Sequence, residues 1–238
     1  MTLTLVLTAA VAPTVSVRVT VADPEQRARD YHAAIAAWSR TAGRLGMELV
    51  VVETTGAERS AFWPPGCPGR HVGFRADAET SARGKGAVEA VALDRALAEV
   101  DEGTVYKCTG RLWVANAERL VVPLAPDAAR IRRTLDRTWV DGRFLGASTA
   151  VWRRALTGMA PEVDDGDGRY LEHVMADRLA REGVLHGTSL ERFPARPAFV
   201  GRSGSTGVDY RSPAQRLKGL ALSPLEALLT GPLARKLI

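Results

Sequence analysis

The stretch Val105-Tyr-Lys-Cys-Thr-Gly-Arg-Leu-Trp-Val114 reads as a buried strand that is interrupted by polar residues and then resumes. The interruption, residues 107–111, contains two cations, a hydroxyl and a glycine, which are poor material for a core. They suit a site for an anion, because glycine lets the backbone approach closely while lysine and arginine bind phosphate oxygens. The alternative is a strand-end turn whose charges lie in water.

The segments before this stretch predict a parallel sheet. Residues 3–7 and 47–52 are continuous apolar runs, as expected of strands that are buried on both faces. Between them, residues 23–46 carry apolar side chains at spacings of three and four, which predicts an amphipathic helix. A strand–helix–strand unit of this kind is typical of open α/β sheets, which bind ligands at the carboxyl ends of their strands.

Four further segments complete the predicted order. Residues 57–75 are rich in proline and glycine and predict a loop, and a helix is expected to follow the Gly-Lys-Gly sequence at 84–86. Residues 126–137 predict a short helix, and residues 142–152 a strand and a turn. An acidic glycine loop at 164–168 leads into a helix predicted for 169–182. The fold class predicted from the sequence is a single α/β domain, Rossmann-like, with a mostly parallel central sheet flanked by helices.

Composition narrows the classes of partner. The chain has 238 residues, with 32 Lys and Arg against 27 Asp and Glu, and the resulting charge of +5 is spread without a long basic run. This favours small anionic partners or a membrane surface and predicts no nucleic-acid partner. The two cysteines, Cys67 and Cys108, form no CxxC pair, so we expect neither a zinc site nor disulfides, and a cytoplasmic location. Residues 1–12 are read as a first strand and not as a signal peptide.

Five separated motifs occur in a recognisable order. They are Arg27 with Asp30-Tyr31, Glu53-Thr-Thr, Gly84-Lys-Gly-x-x-Glu89, Lys107-x-Thr-Gly-Arg111 with Asn116, and Ser203-Gly-Ser-Thr-Gly207 with Tyr210. Together they resemble bacterial glycosyltransferases of GT-A-like fold that build capsule and lipopolysaccharide chains, including galactan-assembly enzymes. The resemblance covers roughly residues 2–212. It implies a nucleotide-sugar donor and a glycan or lipid-linked acceptor.

The resemblance also implies a division of the chain. Residues 1–212 are expected to form the transferase domain, with a nucleotide-binding half at 1–116 and an acceptor half at 117–212. Residues 213–238 are a basic, apolar tail. The tail either docks on an anionic membrane, which would make the enzyme peripheral at the inner face, or packs against the domain.

The diphosphate site departs from the wider GT-A class, most of whose members hold a divalent metal with an Asp-x-Asp pair. Here cations occupy the corresponding place, and cations can stabilise a leaving diphosphate as a metal does. We therefore expect no metal cofactor. The residues predicted to bind the diphosphate are Lys107, Thr109, Gly110, Arg111 and Lys85. The alternative is that Mg²⁺ or Mn²⁺ binds Asp164, Asp165 and Asp167.

An inverting transfer also needs a base near the acceptor hydroxyl. Glu172, in the first turn of a predicted helix after a flexible loop, is the first candidate, with its neighbour His173 and with Asp165 as alternatives. Stabilisation of the helix N-terminus is an equally simple role for Glu172.

Two further groups complete the predicted site. The residues predicted to bind the nucleotide are Glu53, Thr54, Gly84 and Gly86, although Glu53 would equally well cap the turn that follows it. The residues predicted to contact the acceptor or close over the site are Ser203, Gly204, Ser205 and Tyr210.

Two other functions were considered. A sugar-phosphate nucleotidyltransferase is expected to have a glycine-rich, basic loop directly after its first strand, whereas residues 8–13 here are Thr-Ala-Ala-Val-Ala-Pro. A non-catalytic anion-binding peripheral module would need clustered basic residues interleaved with exposed aromatics, and the sequence has no such cluster.

Overall fold

The computed structural model describes residues 2–13, 20–134, 136–204, 207–210 and 212. Ser205 and the tail at 213–238 lie outside the described residues, so the predictions made for them stay predictions.

The described elements alternate between strands and helices. The helices are α1 (Pro24–Leu45), α2 (Ala78–Ala82), α3 (Lys85–Ala98), α4 (Thr149–Ala155) and α5 (Leu171–His186). The strands are β1 (Thr2–Ala9), β2 (Met47–Glu53), β3 (Arg70–Gly73), β4 (Gly103–Thr109), β5 (Leu112–Val114), β6 (Ala128–Ile131), β7 (Phe144–Ser148), β8 (Ser189–Arg192) and β9 (Phe199–Gly201). No helix in this described part of the chain is long and apolar enough to cross a bilayer.

Seven strands form one central sheet in the order β3-β2-β1-β4-β7-β6-β8. β7 is antiparallel to both of its neighbours, β4 and β6, while the other neighbouring strands of this sheet pair in parallel. β5 and β9 form a separate antiparallel pair. The predicted α/β fold with a mostly parallel central sheet is confirmed. The sheet also continues across residue 116, because β4 pairs with β7, so the two predicted halves share one sheet.

Helices cover both faces of the sheet and bury two apolar layers. α1 packs on one face, where Ile35 and Trp38 are fully buried. α3, α4 and α5 cover the other face, with Leu93, Trp152 and Leu179 among their buried residues. Each such side chain contributes about 1.5–3 kcal/mol through burial. The fold thus depends on apolar stripes that are visible in the sequence.

The first helix shows how local sequence sets its bounds. The Asp23 carboxylate accepts a hydrogen bond from the Glu25 N–H, and Pro24 occupies the first helical position. Gly46 ends the helix in the left-handed region, at a φ of 62°. The predicted helix at 23–46 is confirmed.

Several local predictions were wrong. Residues 107–109 continue β4 and do not break it, so the turn is confined to Gly110 and Arg111. The helix predicted for 126–137 is instead the short strand β6, which pairs with β7 and β8. The loop at 57–75 contains β3, which pairs with β2. In each segment, pairing with strands distant in sequence outweighs local propensity.

Candidate active site

The predicted polar segments meet at one edge of the sheet, formed by the carboxyl ends of β1, β2 and β4. The Gly110 N–H donates to the Thr8 carbonyl at 3.0 Å, which ties the turn after β4 to the end of β1. The Thr54 N–H donates to the Ala9 carbonyl at 3.0 Å and links β2 to the same place. This is the edge at which open α/β sheets bind ligands.

Gly110 is required by a close approach within the protein. A Cβ atom at this position would lie 2.5 Å from the Thr8 carbonyl oxygen and 3.1 Å from Cε1 of Tyr31. The glycine was predicted to let an anion approach the backbone, but it lets β1 and the Tyr31 ring approach instead. Thr109, beside it, is partly exposed and donates its N–H to the Arg143 carbonyl at 3.0 Å.

Arg111 is a buried cation with unused hydrogen-bond donors. Its residue is 5% exposed, and its guanidinium lies 5.8 Å from the centre of the Tyr31 ring. Among the described residues, Nε and Nη1 have no hydrogen-bond partner. Burial lowers the pKa of Arg111, and the nearby charge of Arg27 lowers it further. Tyr31 and Asp30 raise this pKa in part. A buried guanidinium with donors that lack partners is stabilised strongly when an anion binds to it.

The surroundings of Arg111 bring three of the motifs together. Arg27 on α1 is buried and donates to the Ala10 carbonyl at 2.5 Å and to the Tyr31 hydroxyl at 3.1 Å. Asp30, also on α1, has a buried Oδ2 without a partner in the described part of the chain. A Cβ atom at Gly204 would overlap the Arg111 guanidinium. The first helix, the turn after β4 and the loop beginning at Ser203 therefore adjoin one another.

Lys107 is not available to a diphosphate, which corrects the prediction. The residue is 1% exposed, and its Nζ lies 2.5 Å from Oε1 of Glu89 on α3. Nζ also donates to the Gly142 carbonyl, and the Thr8 hydroxyl donates to Glu89 Oε1 at 2.9 Å. The reason is strand alternation: Lys107 points into the layer beneath α3, while Cys108 points toward α1.

Glu172 lies in this same cluster and faces Gly142. A Cβ atom at Gly142 would be 3.2 Å from both Cγ and Oε1 of Glu172. Burial raises the pKa of Glu172, the charge of Glu89 raises it further, and Lys107 and Lys85 lower it in part. Glu172 is thus a half-buried carboxyl that takes up a proton at a higher pH than an ordinary glutamate.

Glu89 behaves in the opposite way. Burial opposes its ionisation, but the charges of Lys107 and Lys85 and the hydrogen bond from Thr8 outweigh burial, so its pKa is lowered. Two glutamates whose pKa values are pushed apart are a common arrangement for acid–base chemistry. The sequence analysis named Glu89 only as a motif member, and its pairing with Lys107 was not predicted.

Asp165 has a structural position, contrary to its predicted role as a base or metal ligand. The residue is buried, and its Oδ2 accepts the Gly86 N–H at the start of α3 at 3.0 Å. A Cβ atom at Gly84 would lie 2.5 Å from Cβ of Asp165. The carboxylate therefore occupies the helix N-terminus at which Gly84 and Gly86 were predicted to meet a nucleotide.

The remaining aspartates of the acidic loop do not converge with Asp165. Asp164 Oδ1 accepts N–H groups from Gly166 and Asp167 at 2.9 and 3.2 Å, which closes a turn, and Asp167 is exposed. Within the described ranges, no group of three or more His, Cys, Asp or Glu side chains is arranged to hold a metal ion.

His173 lies away from the cluster around Glu172. Its Nδ1 accepts the Tyr170 N–H at 3.4 Å, and its ring packs edge-to-face on Trp139 at 4.9 Å. The predicted alternative base thus helps to cap α5.

The carboxylate of Glu53 accepts hydrogen bonds from the loop that follows β2 and from the segment after β1. The side chain is fully buried; Oε1 accepts the Val11 N–H at 2.9 Å, and Oε2 accepts the N–H groups of Thr55 and Ala57 at 2.9 and 2.8 Å. Thr54 is also buried, and its hydroxyl donates to the Ala9 carbonyl. Of the two roles considered for Glu53, the geometry fits the cap.

A second charged cluster near this edge was not predicted from the sequence. Asp141 is buried and accepts hydrogen bonds from Arg143 and Arg132. Arg143 also donates from Nη1 to the Tyr210 hydroxyl at 2.8 Å and lies over the Phe199 ring. Tyr210 is thereby held beside Arg143 at the start of β7, and its predicted contact with the acceptor stays a prediction. The signal in the sequence was the Asp-x-Arg spacing just before β7.

The other described member of the predicted acceptor loop is Ser203. Its N–H donates to the Val208 carbonyl at 2.8 Å, and its carbonyl accepts the Gly207 N–H at 3.1 Å. Both bonds join Ser203 to residues 207 and 208, beside Gly204, which adjoins Arg111.

Comparisons with known proteins assign no family to this chain. No protein-family model matches the sequence, and no curated protein sequence matches it either. Similar solved structures include one described as a nucleotide-diphospho-sugar transferase from Desulfovibrio desulfuricans, with 9% identity, a TM-score of 0.45, and coverage of 81% of this chain and 80% of that one. HddC from Yersinia pseudotuberculosis has 9% identity, a TM-score of 0.45, and coverage of 92% and 98%.

A third similar structure is described as a glucose-1-phosphate thymidylyltransferase from Bacillus anthracis. It has 9% identity and a TM-score of 0.44, and the match covers 92% of this chain and 94% of that one. Identities and TM-scores this low assign neither an activity nor a substrate. The function must therefore be inferred from the site itself.

Proposed function

We propose that this protein is a glycosyltransferase that moves a sugar from a nucleotide-diphosphate donor to a glycan or lipid-linked acceptor in bacterial surface polysaccharide synthesis. The observation that carries the proposal is Arg111, a buried guanidinium at the ligand-binding edge of the sheet whose Nε and Nη1 have no partner in the described part of the chain. A diphosphate suits such a group, because its several oxygens accept charge-assisted hydrogen bonds from a guanidinium.

The donor diphosphate would bind on the α1 side of the edge. Arg111 would contact the phosphate oxygens, and Arg27, which is buried nearby, adds positive potential. Fixed cations stabilise the negative charge that develops on the leaving diphosphate. We therefore propose a metal-independent reaction. The alternative that the experiment must distinguish is a reaction in which Mg²⁺ or Mn²⁺ would neutralise the charge of the diphosphate.

The base would come from the α3 side of the edge. In an inverting transfer, ionised Glu172 takes the proton of the acceptor hydroxyl while that oxygen attacks the anomeric carbon. The bond from this carbon to the diphosphate breaks, and the nucleoside diphosphate leaves with the electron pair. The raised pKa of Glu172, which burial causes, suits this role, because the carboxylate becomes a stronger base.

The proposal extends to location and acceptor. We propose that the enzyme is cytoplasmic and acts at the inner face of the membrane, where lipid-linked acceptors present their glycans. The basic, apolar composition of residues 213–238 supports attraction to anionic lipid.

An assay of released products tests the activity. The protein is incubated with a panel of nucleotide-diphosphate sugars and bacterial glycan or glycolipid acceptors, and nucleoside diphosphate is measured. A parallel reaction with nucleoside triphosphates and sugar 1-phosphates is scored for pyrophosphate, which a nucleotidyltransferase would release. Acceptor-dependent diphosphate release that is lost in Glu172→Gln supports the proposal. Pyrophosphate release would contradict it.

A further inference from the structure

Lys107 and Glu89 form a buried charge pair beside the proposed base. Nζ of Lys107 lies 2.5 Å from Oε1 of Glu89, and the same Oε1 accepts a hydrogen bond from the Thr8 hydroxyl. The Lys107 side chain is 1% exposed, and the Glu89 side chain is 25% exposed. The pair is thus held between β1, β4 and α3, immediately inside the edge of the sheet.

The pair also reaches Glu172 through the backbone. Lys107 Nζ donates to the Gly142 carbonyl, and a Cβ atom at Gly142 would lie 3.2 Å from Glu172, which is closer than an ordinary contact. The Val140 N–H donates to the Glu172 carbonyl at 3.3 Å, which fixes the first turn of α5 against the same segment. Glu172 is therefore positioned by residues 140–142, and Lys107 fixes this segment through its hydrogen bond to the Gly142 carbonyl.

We propose that Glu89 and Lys107 are positioning residues for Glu172, and that Lys107 does not bind the donor diphosphate. Their ion pair fixes Gly142 against the base, and the carboxylate of Glu89 opposes its ionisation. The role of Glu172 as the base rests on the proposed function. The geometric and electrostatic coupling of Glu172 to Glu89 and Lys107 does not depend on it.

The charged groups that face Glu172 come from two elements. Glu89 and Lys85 lie on α3, and Lys107 lies on β4. Asp141, adjacent to Gly142, is paired with Arg132 and Arg143. Glu89 raises the pKa of Glu172, whereas the two lysines lower it. Removal of the Glu89 charge therefore lowers this pKa twice over, because it deletes a negative neighbour and leaves Lys107 without its partner.

The test is a carboxyl titration that needs no substrate. Full-length protein is labelled with [5-¹³C]glutamate, and the Glu172 signal is assigned by its loss in Glu172→Gln. In Glu89→Gln, the apparent pKa of Glu172 is expected to fall by about half a pH unit or more. Adding Lys107→Met to Glu89→Gln is expected to return part of this shift. The double variant, which leaves no buried charge unpaired, also serves if Glu89→Gln does not fold.

The controls separate coupling from a general effect. Glu118→Gln removes a glutamate from an exposed ion pair with Arg44 and should leave the Glu172 titration unchanged. Glu89→Asp keeps the charge and should restore most of the wild-type value. The proposal is overturned if folded Glu89→Gln, or the folded double variant, titrates at Glu172 like the wild type or higher. It is also overturned if Glu118→Gln produces the same shift.

Transfer kinetics distinguish this proposal from the proposed function. With an active donor and acceptor, the acid limb of the kcat/KM profile should move with the titration of Glu172 in each variant. If the wild type transfers no sugar at all, the proposed function fails while the titration result remains valid. If transfer occurs and the acid limb stays fixed in Glu89→Gln, the positioning role fails.

Discussion

Arg143 donates hydrogen bonds to both carboxylate oxygens of Asp141, from Nε to Oδ1 at 2.7 Å and from Nη2 to Oδ2 at 2.6 Å. Arg132 adds a third bond to Oδ2 at 2.9 Å. Because Arg143 also binds the Tyr210 hydroxyl, this paired fork joins the start of β7 to the loop that packs on Arg111. Asp141 thus holds Arg132 and Arg143 in place beside the start of β7.

Asp141→Asn should be strongly destabilising. The substitution leaves Arg143 and Arg132 without their buried anion, and breaking a buried pair from one side costs about 3–5 kcal/mol. Urea unfolding at pH 7 measures the loss. Asp101→Asn, at an exposed position, is the matched control and should change the free energy of unfolding by less than about 0.5 kcal/mol.

The loss of stability in Asp141→Asn should also depend on pH. Burial opposes ionisation of Asp141, but its two arginines outweigh this and hold its pKa below the usual range. A carboxyl with a depressed folded-state pKa stabilises the protein above its unfolded pKa, about 3.9, and loses this contribution as the pH falls through the folded value. The stability difference between wild type and Asp141→Asn should therefore shrink toward low pH. A difference that stays constant from pH 7 to pH 3 would contradict the assignment.

Gly110→Ala should disrupt the turn after β4. A Cβ atom there meets the Thr8 carbonyl at 2.5 Å, and a backbone atom cannot move away cheaply. We expect a loss of about 1–3 kcal/mol of unfolding free energy and weaker diphosphate binding. Gly43→Ala is the matched control, because nothing lies within 4 Å of its Cβ and it sits inside α1. That change should stabilise the protein by about 0.5–1 kcal/mol.

Gly204→Ala should weaken donor binding with little effect on stability. The added methyl group overlaps the end of the Arg111 side chain, which must move to relieve the contact. Calorimetry is expected to show at least about tenfold weaker diphosphate binding, as for a lost charge-assisted hydrogen bond. Gly183→Ala on α5, where the contacts are ordinary, is the control. Unchanged affinity in folded Gly204→Ala would argue against a role for the Arg111 position.

Glu172→Gln should abolish transfer and stabilise the protein at neutral pH. Burial and the charge of Glu89 raise the pKa of Glu172, so the stability that its protonated form contributes is lost as the pH rises through the folded value. Glutamine does not titrate. The melting temperature of the variant should therefore exceed that of the wild type by a margin that grows from pH 4 to pH 8. A margin without pH dependence would show that Glu172 is not perturbed.

Much of the fold follows from local pattern. The α1 stripe of Tyr31, Ile35 and Trp38 has helical spacing, and the apolar runs of β1 and β2 are those of buried strands. β6 lies within residues 126–137, which were predicted as a short helix. Its strand state is set by pairing with β7 and β8, which no local window contains.

The edge of the sheet at which the polar segments meet could be predicted from the sequence. The contacts that their side chains make there were less predictable. Arg111 and Tyr210 were named from the motifs and Glu172 as the candidate base, and their roles in the site stay predictions. Lys107 was misassigned because its partner Glu89 lies on α3, which packs against the sheet. A sequence indicates which face of a sheet a side chain points to, but it does not indicate which residue the side chain contacts there. Asp165 was misassigned for the same reason, since the helix it caps is 79 residues away.

The central claim is that Arg111 binds the donor diphosphate, and calorimetric titration with a panel of nucleoside diphosphates tests it most directly. Each titration is run with Mn²⁺ and with EDTA on the wild type, on Arg111→Ala and on Arg44→Ala, the last removing an exposed arginine as control. We predict that one diphosphate binds, that binding survives EDTA, and that only Arg111→Ala weakens it, by about tenfold or more. Binding that needs Mn²⁺ would favour the metal alternative, and wild-type affinity in a folded Arg111→Ala variant would contradict the claim.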